Sequence, residues 1–84
     1  MKKHYIGIDR FRSLTGEDTY FVVNVETNKV SVVYRSTSKN GAYQVAHRIS
    51  RANELPLYET IYSELQDENG VDILKPTELK QITL

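Results

Sequence analysis

Two histidines, eleven acids, six tyrosines and no cysteine are the residues from which this chain could assemble chemistry. His4 and His47 lie forty-three positions apart, and no second imidazole stands at helical or hairpin spacing to share a metal with either. A lone histidine such as His47, followed directly by Arg48, reads as a solvated side chain. Asp67-Glu68-Asn69-Gly70-Val71-Asp72 gathers oxygens around a glycine. It lacks the alternating ligand positions and terminal glutamate of a calcium loop, and reads as a turn. No serine sits in a Gly-x-Ser-x-Gly elbow, and no glycine-rich loop is built to cradle phosphate. Without cysteine there is no thiol nucleophile, thiolate metal site or disulfide. The expectation is a protein that is not an enzyme and carries no cofactor and no metal.

What remains is recognition chemistry. Tyr5, Tyr20 and Tyr43 lie in a stretch rich in arginine and lysine. Guanidinium forks beside aromatic rings suit phosphates and base edges, and they also suit a protein hot spot. Arg10, Arg12, Tyr20, Arg35, Lys39, Arg48 and Arg51 are therefore the expected partner-binding residues. Net charge is zero, but it is unevenly placed. Residues 1–52 hold nine Lys/Arg against four acids, and residues 53–84 hold two lysines against seven acids. A basic front can meet an anionic partner, or the two halves can attract one another within one fold. The same asymmetry allows a homo-oligomer in which the basic half of one copy meets the acidic half of another.

These side chains need a scaffold, and Thr19–Ser36 supplies its clearest part. The stretch reads as two strands joined at Thr27-Asn28, which pairs Glu26 with Lys29, Val25 with Val30, Val23 with Val32, Val22 with Val33, Phe21 with Tyr34 and Tyr20 with Arg35. Asn28 tolerates the left-handed backbone that such a turn favours. One face then carries Phe21, Val23, Val25, Val30, Val32 and Tyr34 as an apolar plate. The opposite face carries Tyr20, Val22, Asn24, Ser31, Val33 and Arg35.

Residues 4–12 alternate well enough for a preceding strand with Ile6 and Ile8 on one side, and Gly7 marks a bulge or a close approach. After residue 36 the period changes. Ala42, Val45, Ala46, Ile49 and Ala52 recur at helical spacing, which predicts a helix over 40–53. Pro56 followed by Leu57, Tyr58, Ile61, Tyr62 and Leu65 predicts a second helix over 57–67, with a short strand over 71–74. A rival pattern turns residues 59–74 into a hairpin at Glu68-Asn69-Gly70. The second helix would make a poor DNA-recognition helix, because it offers Glu59, Glu64 and Asp67 to the phosphates and no cation.

The fold class is thus α+β in a single domain over 1–84: an antiparallel sheet of three or more strands, one helix on its face, a second helix and a short C-terminal strand. The expected core is Phe21, Val23, Val25, Val30, Val32, Tyr34, Val45, Ile49, Ile61 and Leu65. The 39% hydrophobic and 26% charged composition is that of a globular domain. No run approaches the roughly 18 apolar residues of a membrane span, so the expectation is a cytoplasmic protein with no membrane partner.

Three strands followed by a helix, with Tyr5-Ile6-Gly7-Ile8 opening the first and Ala42-Tyr43-Gln44-Val45-Ala46 in the helix, resembles the AP2-type DNA-binding domain and the arm-binding domain of tyrosine integrases. The resemblance covers residues 5–52. It implies a sheet that reads the major groove, with DNA contacts at Arg10, Arg12, Tyr20 and Arg35. The chain departs from that pattern in having no tryptophan, in Val22 and Val33 at mid-face, and in its acidic final third. In size and economy it is also similar to phage and mobile-element accessory proteins, many of which bind and inhibit a host protein. The functional expectation is a small binding module for a macromolecule, with a host protein ahead of DNA as the target.

Overall fold

The computed structural model describes residues 3–83. Five strands and one helix follow in the order β1 (Tyr5–Arg12), β2 (Asp18–Glu26), β3 (Lys29–Ser36), α1 (Lys39–Asn53), β4 (Leu57–Gln66) and β5 (Asp72–Ile82). The sheet order is β3-β2-β1-β4-β5. Three of its four contacts are antiparallel, and β1 and β4 run parallel. The sheet is therefore mixed, not antiparallel. Helix α1 is the crossover that makes the parallel pair reachable, since it carries the chain from the β3 edge to the far side of β1.

The β2–β3 hairpin forms as expected near its turn. Glu26 pairs with Lys29, Val25 with Val30, Asn24 with Ser31 and Val23 with Val32. Glu54 is the one non-glycine residue with a positive φ among those described, so Thr27-Asn28 turns without the left-handed backbone anticipated for Asn28. Beyond Val23 the register slips: Val22 faces Tyr34, Phe21 faces Arg35 and Tyr20 faces Ser36. Val33 is the extra residue of a β-bulge, which displaces every expected pair on its far side.

Helix α1 starts at Ser38, whose side chain accepts a hydrogen bond from the Gly41 amide at 3.1 Å. It ends at Glu54, which takes the left-handed conformation of a C-terminal cap at φ 53°. Ala42, Ala46 and Ser50 form its buried stripe. The small side chains let the helix approach closely, and the Ser50 hydroxyl donates to the Leu55 carbonyl at 2.5 Å.

The helix lies on the face opposite to the one anticipated. Its core partners are Ile6, Ile8, Val22 and Leu57, with Tyr20, Tyr43, Val45, Ile49, Leu55 and Ile82 packed around them. Strand β1 decides the matter. Ile8 is paired with Val22, and Gly7 with Val23, so the covered side of β1 selects Val22 and leaves the plate on the other side. Val30, Val32, Tyr34 and Leu65, expected in the core, are 65%, 59%, 36% and 43% exposed. Val23 alone of the plate is fully buried; Phe21 and Val25 are half-buried, as are Val45, Ile49 and Ile61.

The span expected as a helix, 57–67, instead forms strand β4 (Leu57–Gln66) and the first residue of the turn after it. Tyr58, Thr60, Ile61 and Tyr62 are aromatic or β-branched and fit a pleated surface, while the apolar spacing is compatible with either period. The rival hairpin pattern holds. Asp67 closes its turn, its carboxylate accepting the amides of Asn69 and Val71 at 2.8 and 2.9 Å, and Gly70 has φ 76°. Lys75-Pro76-Thr77 does not end the last strand. Tyr62 faces Pro76 and Ile61 faces Glu78, so Thr77 is bulged out and donates to the Ile61 carbonyl at 3.0 Å. Pro76 is tolerated because β5 is an edge.

Candidate functional site

Strands β1 and β4 pair only from Ile6–Leu57 to Ile8–Glu59 and then diverge. A cleft of about 300 Å³ opens between their carboxyl ends, closed at the top by the first turns of α1. This is where open sheets with a parallel crossover commonly place ligands. Asp9, Arg10, Tyr20, Lys39, Tyr43, Glu59 and Tyr62 line it.

The charges in this cleft are already engaged. The Tyr43 hydroxyl donates a short hydrogen bond to the Glu59 carboxylate, and Thr60 donates to Asp9 at 2.7 Å. Burial, then the bond to Glu59, pushes the Tyr43 phenol well above its ordinary range. Burial also raises Tyr62. Arg10 approaches Asp18 at 2.7 Å and Arg12 approaches it at 2.7 Å, and both reach Glu64, at 3.2 and 3.0 Å. The hydrogen bond from Arg12, then that from Arg10, holds the Asp18 carboxyl below its usual value despite opposing burial. Arg12 is raised in turn, first by Asp18 and then by Glu64. Arg10 also sits over the Tyr20 ring at 5.9 Å, and Lys39 over the Tyr43 ring at 5.7 Å.

Through Glu64, this network ties the turn half of the long β4–β5 hairpin to the first two strands. It is also an intramolecular attraction between the basic and acidic halves of the chain. Two arginines sharing two carboxylates are poorly placed to give their donors to a phosphate.

The seven expected partner-binding residues thus fall into three groups. Arg10, Tyr20 and Lys39 meet at the cleft, with Arg12 beside it in the same ionic network. Arg48 and Arg51 are exposed on the outer side of α1 with His47 and Gln44, without a carboxylate partner among the described residues. Arg35 is exposed on β3 opposite Phe21. Among the described residues no group of three or more His, Asp or Glu side chains is arranged to hold a metal ion.

A second surface was not anticipated as a site: the face of the sheet turned away from α1. Val30 and Val32 are exposed along β3, Val23 and Val25 follow on β2, and Tyr5, Tyr58 and Leu79 continue the surface across β1, β4 and β5. Tyr5 and Tyr58 meet edge to face with centroids 5.0 Å apart. Gly7 makes room for them: a Cβ there would stand 3.0 Å from a Val23 methyl and 3.5 Å from the Tyr5 ring. Phe11, 59% exposed, stands at the end of the same side of β1. The signal for this face was present in the hairpin's apolar alternation, which correctly described a plate and wrongly implied its cover. No helix among the described residues is long and apolar enough to cross a membrane. No known family, curated protein or solved structure matches the chain.

Proposed function

We propose that this protein is a small non-enzymatic binding module that engages a protein partner, and modulates or inhibits it, through the open face of its sheet. The observation that supports this reading is the position of α1, which leaves Val30, Val32, Tyr58 and Leu79 on an uncovered apolar face. An apolar face rimmed by charge is the usual anatomy of a protein interface, with aromatic anchors such as Tyr5 and Tyr58 at its middle. The same geometry weighs against a sheet that reads DNA. Arg10 and Arg12 are tied to Asp18 and Glu64, and the open face offers a groove mainly valines and rings. Accessory proteins that act by occupying a host protein fit this chemistry, and the partner's own surface should be apolar.

The test is capture of binding proteins from a host lysate with the wild type, a Tyr58→Ala/Leu79→Glu variant and an Arg48→Ala/Arg51→Ala variant, each with and without nuclease. A stoichiometric partner that survives nuclease, persists with the arginine variant and disappears with the Tyr58/Leu79 variant is expected. Nuclease-sensitive capture that depends on Arg48 and Arg51 would replace this reading with nucleic-acid binding through α1.

A further inference from the structure

The two edges of the sheet are built differently. β5 carries Lys75, Pro76, Glu78 and Lys80, with a bulge at Thr77. Charges, proline and bulges are the devices by which edge strands refuse a further strand. β3 pairs with β2 alone, so alternate N–H and C=O groups along it face the free edge. Its middle, Val30-Ser31-Val32-Val33-Tyr34, has no charge and no proline; like β5 it has a single bulge, here at Val33, which leaves residues 29–32 as a regular open edge. Four of these five side chains are apolar or aromatic, and those four are exposed, from 36% at Tyr34 to 65% at Val30.

A strand that accepted this edge would need free backbone groups, apolar side chains at alternate positions and no charge at its centre. β3 itself meets that description. We propose that two copies of this chain join by antiparallel pairing of their β3 edges about a two-fold axis, making one continuous ten-stranded sheet. A two-fold interface is self-complementary, and dimers of this kind are the commonest homo-oligomers.

The bulge selects the register. Val33 is the extra residue of β3, so the regular ladder at the free edge runs from Lys29 to Val32. Centring the axis on Val32 would bring Val33 of each copy against Ser31 of the other and break the ladder on both sides. Centring it on Ser31 keeps the bulge away from the axis: Ser31 faces its own copy, and Val30 faces Val32 in both directions. Opposite residues of an antiparallel pair share a face, so the valines of the two open faces become contiguous and the apolar plate doubles. The pairing uses the edge of the sheet, so it stands independently of whether a different protein covers the plate. The contact is small for a stable dimer, which places its dissociation constant in the micromolar range or weaker, on the order of 10⁻⁵ M.

Sedimentation velocity of the purified full chain from a few micromolar to several hundred micromolar should show a monomer–dimer equilibrium that persists at high salt. Val30→Lys/Val32→Lys should remove it by setting lysines against lysines. The chain has no cysteine, so Ser31→Cys is a unique probe. At the axis it should oxidise to a disulfide-linked dimer at least tenfold faster than Lys75→Cys on the β5 edge. A chain that stays monomeric throughout would overturn the proposal. So would a dimer that dissolves in salt, since that marks a basic-to-acidic contact, or equal cross-linking at both cysteine positions.

Discussion

Val22→Ala and Val32→Ala remove the same two methyl groups from neighbouring places on one hairpin, yet their costs should differ widely. Val22 has no exposed surface and packs against Ile8, Ala42 and Ala46, within the core under α1. Losing its methyl groups forfeits transfer energy and leaves a void beneath a helix that cannot settle further, because its contact stripe is already alanine and serine. At about 0.8 kcal/mol per buried carbon plus a cavity contribution, the expected loss is about 2 kcal/mol. For a domain of this size that lowers Tm by about 10 °C. Val32 is 59% exposed on the open face, and its truncation should cost no more than about 0.5 kcal/mol. Urea unfolding at low micromolar concentration, where β3 pairing is negligible, measures both. Equal losses, or a larger loss at Val32, would mean that the helix covers the plate and that the face assignment is wrong.

Three further outcomes follow from the same geometry. Asp18→Asn should destabilise by about 1–3 kcal/mol, since it leaves Arg10 and Arg12 with Glu64 as their remaining carboxylate. Because the folded state holds the Asp18 pKa below its ordinary value, its contribution is full above that value and is lost as pH falls through the folded one. The acid limb of the wild-type stability curve should therefore flatten in Asp18→Asn. Tyr43 has the opposite sign: its phenol is raised, so its contribution is full below the ordinary value of 10.0 and is lost as pH climbs through the folded one. Absorbance titration should show Tyr43 and Tyr62 ionising late, and Tyr43→Phe should remove the latest step while leaving that of Tyr62. Gly7→Ala should cost about 1–3 kcal/mol by pushing Val23 and the Tyr5 ring apart, and should alter the near-ultraviolet signal of the Tyr5–Tyr58 pair.

Much of the scaffold was legible because local rules sufficed. The Thr27-Asn28 turn, the pairs nearest it and the span of α1 follow from alternation and period. The rest depended on information held by other parts of the chain. Val33 could equally continue the ladder or bulge, and only the packing of β2 against β1 under the helix distinguishes them. The plate looked like a core because a hairpin alone cannot say which face is covered. Ile6 and Ile8, flanking Gly7, carried that answer, and it becomes readable only when β1 is set in register against Val22. Leu57–Leu65 satisfied the helical period, and the β-branched and aromatic content of Tyr58–Tyr62 was the signal for strand β4. Arg10 and Arg12 were legible as charged residues but not as paired ones. Glu64 lies more than fifty positions away, and it reaches them only because Leu57–Gln66 forms a strand.

On the proposed function, the open face of the sheet meets the partner, and its charged cleft and the outer side of α1 do not. Hydroxyl-radical footprinting of the captured complex against the free chain tests it most directly, since rings and aliphatic side chains are labelled according to exposure. Protection is expected at Val30, Val32, Tyr58 and Leu79, with His47 and Arg51 labelled as in the free protein. Protection confined to α1, with the four open-face residues unchanged, would contradict the account.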